Sequence, residues 1–104
     1  MTLRLSTERE GDELTVSARG VVDLASAKQL EDGIVAAVAE DGGRIVVIDL
    51  SGVTLLDSMG IAALLKGRRW AVERGRDFRL TGATGLVREV LDITGVWTHL
   101  GGEA

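Results

Sequence analysis

The sequence predicts an α/β domain, with a mixed, mostly parallel sheet of four to five strands, an opening β-hairpin and about three helices. Three patterns carry that prediction. Apolar and polar residues alternate near the amino end, and apolar residues recur at three- and four-residue steps in three later stretches. Between the first two of those stretches lies an unbroken β-branched run, Ile45-Val46-Val47-Ile48. With 104 residues, 45% of them hydrophobic and 27% charged, the chain has the profile of one globular domain over 1–104, with a modest core and little room for a deep enclosed cavity.

The elements follow in order. Leu3 and Leu5 alternate with Arg4 and Ser6; beyond Gly11-Asp12, Leu14, Val16 and Ala18 alternate with Thr15, Ser17 and Arg19, which reads as a hairpin of half-buried strands. From Asp23 to Glu40, Ala27, Leu30, Ile34 and Val38 mark one face of an amphipathic helix, with Lys28, Glu31, Asp32 and Glu40 turned to water. Asp23, or Ser26 with Gln29 three residues on, is its expected cap, and Gly42-Gly43 its stop. The β-branched run is expected to be the central strand, covered by helices on both faces. Helical spacing returns at Ile61, Leu64, Leu65, Arg68 and Val72 and ends near Gly75, and Phe78–Leu80 is a short strand. Leu86, Val87, Val90 and Leu91 then form the buried stripe of a last helix over Gly82–Asp92, leaving Gly95 to Ala104 for at most one short strand. Such an order places functional loops at the carboxyl ends of parallel strands, here Gly20-Val21-Val22-Asp23 and Thr54 to Gly60.

Composition removes several classes of function. Twelve Lys and Arg against sixteen Asp and Glu give a formal charge of −4, opposite to the footprint of a nucleic-acid binder, so no direct nucleic-acid partner is expected. The lack of cysteine removes disulfides, zinc-thiolate sites and thiol catalysis, and His99 alone does not build a metal site, so neither metal nor cofactor is expected. No apolar run reaches the roughly 18 residues of a membrane helix, and Met1 to Gly11 carries charge where a secretory signal is apolar. The expectation is a cytoplasmic protein without membrane insertion. Nor is an enzyme expected. There is no Gly-x-Ser-x-Gly elbow, and His99 lies in the tail; a phospho-aspartate receiver built on Asp49 lacks its early acidic pair and a lysine in the final third. Gly82 to Gly85 lacks the Gly-Lys-Ser/Thr ending of a phosphate loop, and Lys66, Arg68, Arg69, Arg74, Arg76 and Arg79 read as solvated charge at a helix end.

The most informative segment is Asp57-Ser58-Met59-Gly60. Short polar side chains just before a helix accept hydrogen bonds from the free N–H groups of its first turn, which accounts for Asp57 and Ser58 as caps. Gly60 adds a second reading, because a residue without a side chain leaves the backbone beside Ser58 open to another protein. On the second helix, at about 100° per residue, Met59, Ala63 and Trp70 fall opposite an expected buried stripe of Ile61, Leu65 and Val72. Outward Met and Trp side chains are favoured interface anchors.

The run Ile45 to Leu65, IVVIDLSGVTLLDSMGIAALL, together with Gly20 to Asp23, resembles the STAS domains, and among them the bacterial anti-sigma factor antagonists. The most specific part is a strand ending in Asp-Leu, six residues, then Asp-Ser-x-Gly opening a helix; Met59 departs from the many members with a second Ser or Thr there. The resemblance implies one STAS domain over 1–104. It further implies that Ser58 is phosphorylated by an anti-sigma factor with serine kinase activity and restored by a metal-dependent serine phosphatase. In its unmodified form the protein would then hold the anti-sigma factor and free a sigma factor. Asp23 resembles the family's acid beside the serine, and Asp57, Met59, Gly60, Ala63 and Trp70 are the further candidate partner-binding residues. The competing implication is a STAS interaction scaffold in a signalling or transporter-associated assembly, with Ser58 never modified.

Overall fold

A computed structural model of the chain describes residues 3–39 and 43–103. It places the opening hairpin as β1 (Arg4–Glu10) and β2 (Glu13–Val22), followed by α1 (Ala27–Ala39), β3 (Ile45–Leu56), α2 (Ser58–Glu73) and β4 (Asp77–Thr81). The chain closes with α3 (Gly85–Ile93), α4 (Val96–His99) and β5 (Gly102–Glu103). The two-residue hairpin turn puts Gly11 at a φ of 61°, as the tight turns that match strand twist require. The sheet order is β1-β2-β3-β4-β5, antiparallel between β1 and β2 and parallel thereafter, so the β-branched run does lie in the central strand.

That order decides where the helices go. Every parallel crossover moves one strand in the same direction, and right-handed connections then deposit all helices on one face. Leu14, Val16 and Ala18 of β2, Val46, Ile48 and Leu50 of β3, and Phe78 and Leu80 of β4 form that face, and buried residues of the four helices join them in a single core. The expected helix cover on both faces is therefore corrected. Val47, on the opposite face, is buried between its strand neighbours Thr15 and Arg79 and stands apart from the core cluster.

Several boundaries differ from the sequence reading for local reasons. The first helix begins at Ala27 rather than Asp23, because residues 23–26 form a turn in which the Asp23 carbonyl accepts from the Ser26 and Ala27 N–H groups at 3.1 and 2.8 Å. Gln29 does not close a capping box; its amide donates to the Leu3 carbonyl at 2.9 Å and ties the chain start to α1. Of the expected Gly42-Gly43 stop, Gly42 lies outside the described residues, as does Glu40. The last helix starts at Gly85, not Gly82, and the tail holds α4 as well as the short β5, with Trp97 and Leu100 buried.

The largest correction concerns α2. Its buried positions are Gly60, Ala63, Leu64, Gly67 and Ala71, whereas Val72, expected in the core, is 51% exposed, and Ile61 and Leu65 only flank the core. Small residues win because α2 packs close. A Cβ on Gly67 would lie 2.6 Å from Ile34 Cγ2 of α1, and one on Gly60 would run into Leu56 Cδ1 and lie 2.7 Å from Val22 Cγ1. Overpacking of this kind costs typically about 1–3 kcal/mol. Gly67→Val is expected to destabilise the domain by about 3 kcal/mol in urea unfolding, because it adds branched bulk against Ile34; an unchanged midpoint would show that α2 has room to spare.

Candidate functional site

Two parallel strands deliver the site. Val22 pairs with Leu56 at the end of the β2–β3 ladder, so the next residues, Asp23 and Asp57, leave the sheet side by side. The Asp57 N–H donates to the Val22 carbonyl at 3.1 Å, which extends the ladder by one bond and fixes the two exits relative to each other. The expected loops are thus mostly strand: Gly20 to Val22 belong to β2 and Thr54 to Leu56 to β3.

Asp57 is the N-cap of α2. Its backbone is extended (φ −98°, ψ −174°), and its Oδ1 accepts from the N–H groups of Met59 at 2.9 Å and Gly60 at 3.0 Å. Its carbonyl accepts from Ile61 N–H at 3.0 Å, so with the Asp57 N–H on Val22 and the Met59 and Gly60 N–H groups on the carboxylate, three of the four donors at the helix start are satisfied. Ser58 is the first residue of α2 and is exposed. Among the described residues its hydroxyl has no hydrogen-bond partner. The capping reading therefore holds for Asp57 and not for Ser58, which leaves the serine Oγ available to a reagent from solvent.

The neighbouring turn is braced from within. Ser26, buried, donates its hydroxyl to the Val21 carbonyl at 2.7 Å and accepts from the Asp23 N–H at 3.1 Å. Asp23 Oδ1 accepts from Ala25 N–H at 3.0 Å and lies 3.3 Å from Ser26 Oγ. Asp23 is half-buried, holding its own turn in shape beside the α2 start.

The other candidates divide. Met59 is 43% exposed next to Ser58, but Gly60 is buried, so its lack of a side chain serves the close approach to β2 and β3 rather than access. Ala63 is buried at 3%, and the outward stripe expected from Met59, Ala63 and Trp70 is broken there. Trp70 lies twelve positions from Ser58, about 18 Å along the helix axis. It is half-buried, with the Arg74 guanidinium 3.5 Å from its ring centroid and no acceptor for its buried Nε1–H among the described residues. Beside it, α1 and α2 share a charged groove where Lys28 meets Asp32 at 3.1 Å and Lys66 meets Glu31 at 3.5 Å. The hydrogen bond to Asp32, then the charges of Asp32 and Glu31, raise the Lys28 pKa above its ordinary value.

Two site residues escaped the sequence reading. Leu24, in the turn after Asp23, is 75% exposed, and Leu55, just before the α2 start, is 50% exposed. With Met59 they are three exposed apolar side chains on the segments that meet at the β2 and β3 exits, and they form the apolar rim of the candidate site. Leu55 was legible in principle: Leu55 and Leu56 are adjacent in a strand, so they point to opposite faces and only one of them reaches the core. Among the described residues no cluster of His, Cys, Asp or Glu is arranged to hold a metal ion, and no helix is long and apolar enough to cross a membrane.

A family model described as "Mlab, STAS domain" matches residues 5–101. The chain belongs to the STAS domain family. The fold of this STAS domain agrees with that of an anti-sigma factor antagonist from Mycobacterium paratuberculosis, at 26% identity and a TM-score of 0.85, over 97% of this chain and 85% of that one. It is also similar to the Bacillus cell fate determinant SpoIIAA in its phosphorylated form, at 15% identity and a TM-score of 0.70, over 97% and 92% of the two chains. A sulfate transporter family protein from Wolinella succinogenes matches at 22% identity and a TM-score of 0.70, over 84% and 70%. These last two likenesses show the shared fold.

Because Asp57 caps and Ser58 does not, their truncations are expected to separate. Asp57→Ala loses about 1 kcal/mol of stability with its two N–H bonds, while Ser58→Ala stays within about 0.5 kcal/mol of the parent in the same urea titration. Equal losses would mean that the Ser58 hydroxyl is part of the cap.

Proposed function

We propose that this STAS domain is an anti-sigma factor antagonist, holding an anti-sigma factor with serine kinase activity while Ser58 is unmodified and released from it by phosphorylation of Ser58. The observation that carries the reading is the position of Ser58: exposed, without a partner for its hydroxyl, first in α2, directly after an aspartate that does the capping. The likeness to the Mycobacterium paratuberculosis antagonist over nearly the whole chain, and to SpoIIAA in its phosphorylated form, supports it.

In this reading the domain is a phosphate acceptor and a binding module, and the partner is the catalyst. Ser58 Oγ bonds to the γ-phosphorus of a nucleoside triphosphate, the bond from that phosphorus to the β-phosphate oxygen breaks, and the hydroxyl proton passes to the kinase. A metal-dependent serine phosphatase reverses the state by hydrolysis, releasing inorganic phosphate. The encounter takes place in the cytoplasm, where the freed sigma factor acts on transcription.

The physics of the switch is local. A phosphoserine brings about −1.5 to −2 charges, which a helix amino terminus tolerates with roughly 0.3–1 kcal/mol of dipole stabilisation. The same charge stands beside the Asp57 carboxylate and close to Asp23, within a rim whose Leu24, Leu55 and Met59 a partner must desolvate. At an effective dielectric near 20, a unit-charge pair about 4 Å apart is worth about 4 kcal/mol, and about 1.4 kcal/mol is a factor of ten in affinity. Screening leaves ample repulsion to end binding while the fold persists.

The fold shared with the Wolinella succinogenes transporter-family protein favours a second reading, a scaffold whose Ser58 is never modified. Titrating the cognate anti-sigma kinase with the parent, Ser58→Ala and Ser58→Asp proteins separates the two. The antagonist reading expects Ala to bind like the parent and Asp to bind at least about tenfold more weakly; equal binding by all three contradicts it. Leu55→Asp, on the rim but outside the core, is expected to weaken binding to a similar degree with the unfolding midpoint unchanged. Full affinity in that variant would remove the apolar rim from the interface.

A further inference from the structure

The sheet face turned away from the helices has a concavity of about 480 Å³ where β1, β2 and β3 meet. Register builds its walls. Arg4 pairs with Arg19, and Ser6 with Ser17, across the antiparallel β1–β2 ladder, so all four side chains project from this face. Across the parallel ladder Ser17 pairs with Asp49 and Arg19 with Gly52, so β3 advances three residues while β2 advances two. That bulge brings Ser51 into the concavity. Gly52 keeps the floor open, because a Cβ there would stand 3.1 Å from both the Ala18 carbonyl oxygen and Arg19 Cβ.

The charges lining this concavity are out of balance, although Glu8, Glu10 and Glu13 share the same sheet face beyond it. Like charges directly opposite each other on an antiparallel pair destabilise a sheet, yet Arg4 faces Arg19, both exposed. Neither has a carboxylate partner among the described residues, in a chain whose formal charge is −4. Asp49, the one acid lining the concavity, has Oδ1 occupied by the Ser51 N–H at 2.9 Å. Two guanidinium groups against one carboxylate leave a net positive site.

We infer that this concavity binds a phosphomonoester dianion, gripped by the guanidinium forks of Arg4 and Arg19 and hydrogen-bonded by the hydroxyls of Ser6, Ser17 and Ser51. Planar forks match tetrahedral oxyanions two bonds at a time, and hydroxyls donate to the remaining oxygens. The anion also removes the repulsion between the paired arginines. It is not the phosphate of Ser58 in the same chain: Arg19 lies four strand residues before Asp23, about 13 Å from the rim. The group is carried by a small free phosphomonoester or by a phosphorylated side chain of another protein.

Titration of the isotope-labelled full chain with inorganic phosphate, glycerol 3-phosphate and a short phosphoserine peptide, read by amide and arginine Nε–H shifts, tests the site. Saturable shifts are expected at Arg4, Ser17, Arg19 and Ser51. Arg4→Gln and Arg19→Gln should each weaken binding by about tenfold or more, while Arg44→Gln, elsewhere on the surface, leaves it unchanged. Tighter binding of glycerol 3-phosphate than of the peptide identifies a small-molecule ligand, and the reverse order a phosphoprotein. Absence of saturable shifts at these residues with all three probes overturns the inference, as does equal weakening by Arg44→Gln. Should either arginine variant fail to fold, the shift map of the parent protein decides alone.

Discussion

The Val22 carbonyl and the Asp57 N–H, 3.1 Å apart, close the last rung between β2 and β3, and the candidate site depends on that rung. It is the point at which two strands leave the sheet together. One exit turns at Asp23 into α1, and the other turns at Asp57 into α2. The first turn is braced by the buried Ser26 hydroxyl, the second by the Asp57 carboxylate on two N–H groups. A backbone fixed in this way holds Ser58 in the open without using its hydroxyl. Exposure and capping are thereby divided between adjacent residues.

Behind the rim, α2 is held by close approach rather than by large side chains. Gly60, Ala63, Gly67 and Ala71 let the helix backbone sit against β2, β3 and α1, with Leu64 as the one large residue on the buried side. Such packing is intolerant of displacement, since added volume has nowhere to go. A charge placed at the first residue of this helix therefore acts outward, on whatever covers the rim, more than inward on the core. The all-helices-on-one-face topology has a second consequence: it leaves the opposite sheet face to side chains alone, which is where the paired arginines stand.

Much of this was legible in the chain. Alternation at Leu14, Val16 and Ala18 and the run Ile45–Ile48 located the strands, because burial on a pleated surface demands that pattern. The Asp-Ser-Met-Gly segment located the helix start for the same kind of reason. What the pattern missed, it missed physically. Periodicity weighs bulky residues, so it assigned Ile61, Leu65 and Val72 to the core and overlooked a stripe of glycine and alanine whose value lies in what it lacks. It also treated residues 54–56 as loop, because the bulges in β3 break strict alternation; Leu55 then emerged on the outer face as a rim residue. Helix cover on both faces was read from the unbroken run Ile45-Val46-Val47-Ile48, in which Val47 is buried instead by its strand neighbours.

In the switch we propose, Ser58 changes its ionic state while the scaffold beneath it stays still. Comparing backbone amide shifts and hydrogen exchange of the protein with serine and with phosphoserine at position 58 tests it directly. Shift changes are expected to stay within the first turn of α2 and the 23–26 turn, with protection of the Val46–Leu50 amides unaltered. Loss of protection along that central strand on phosphorylation would contradict it.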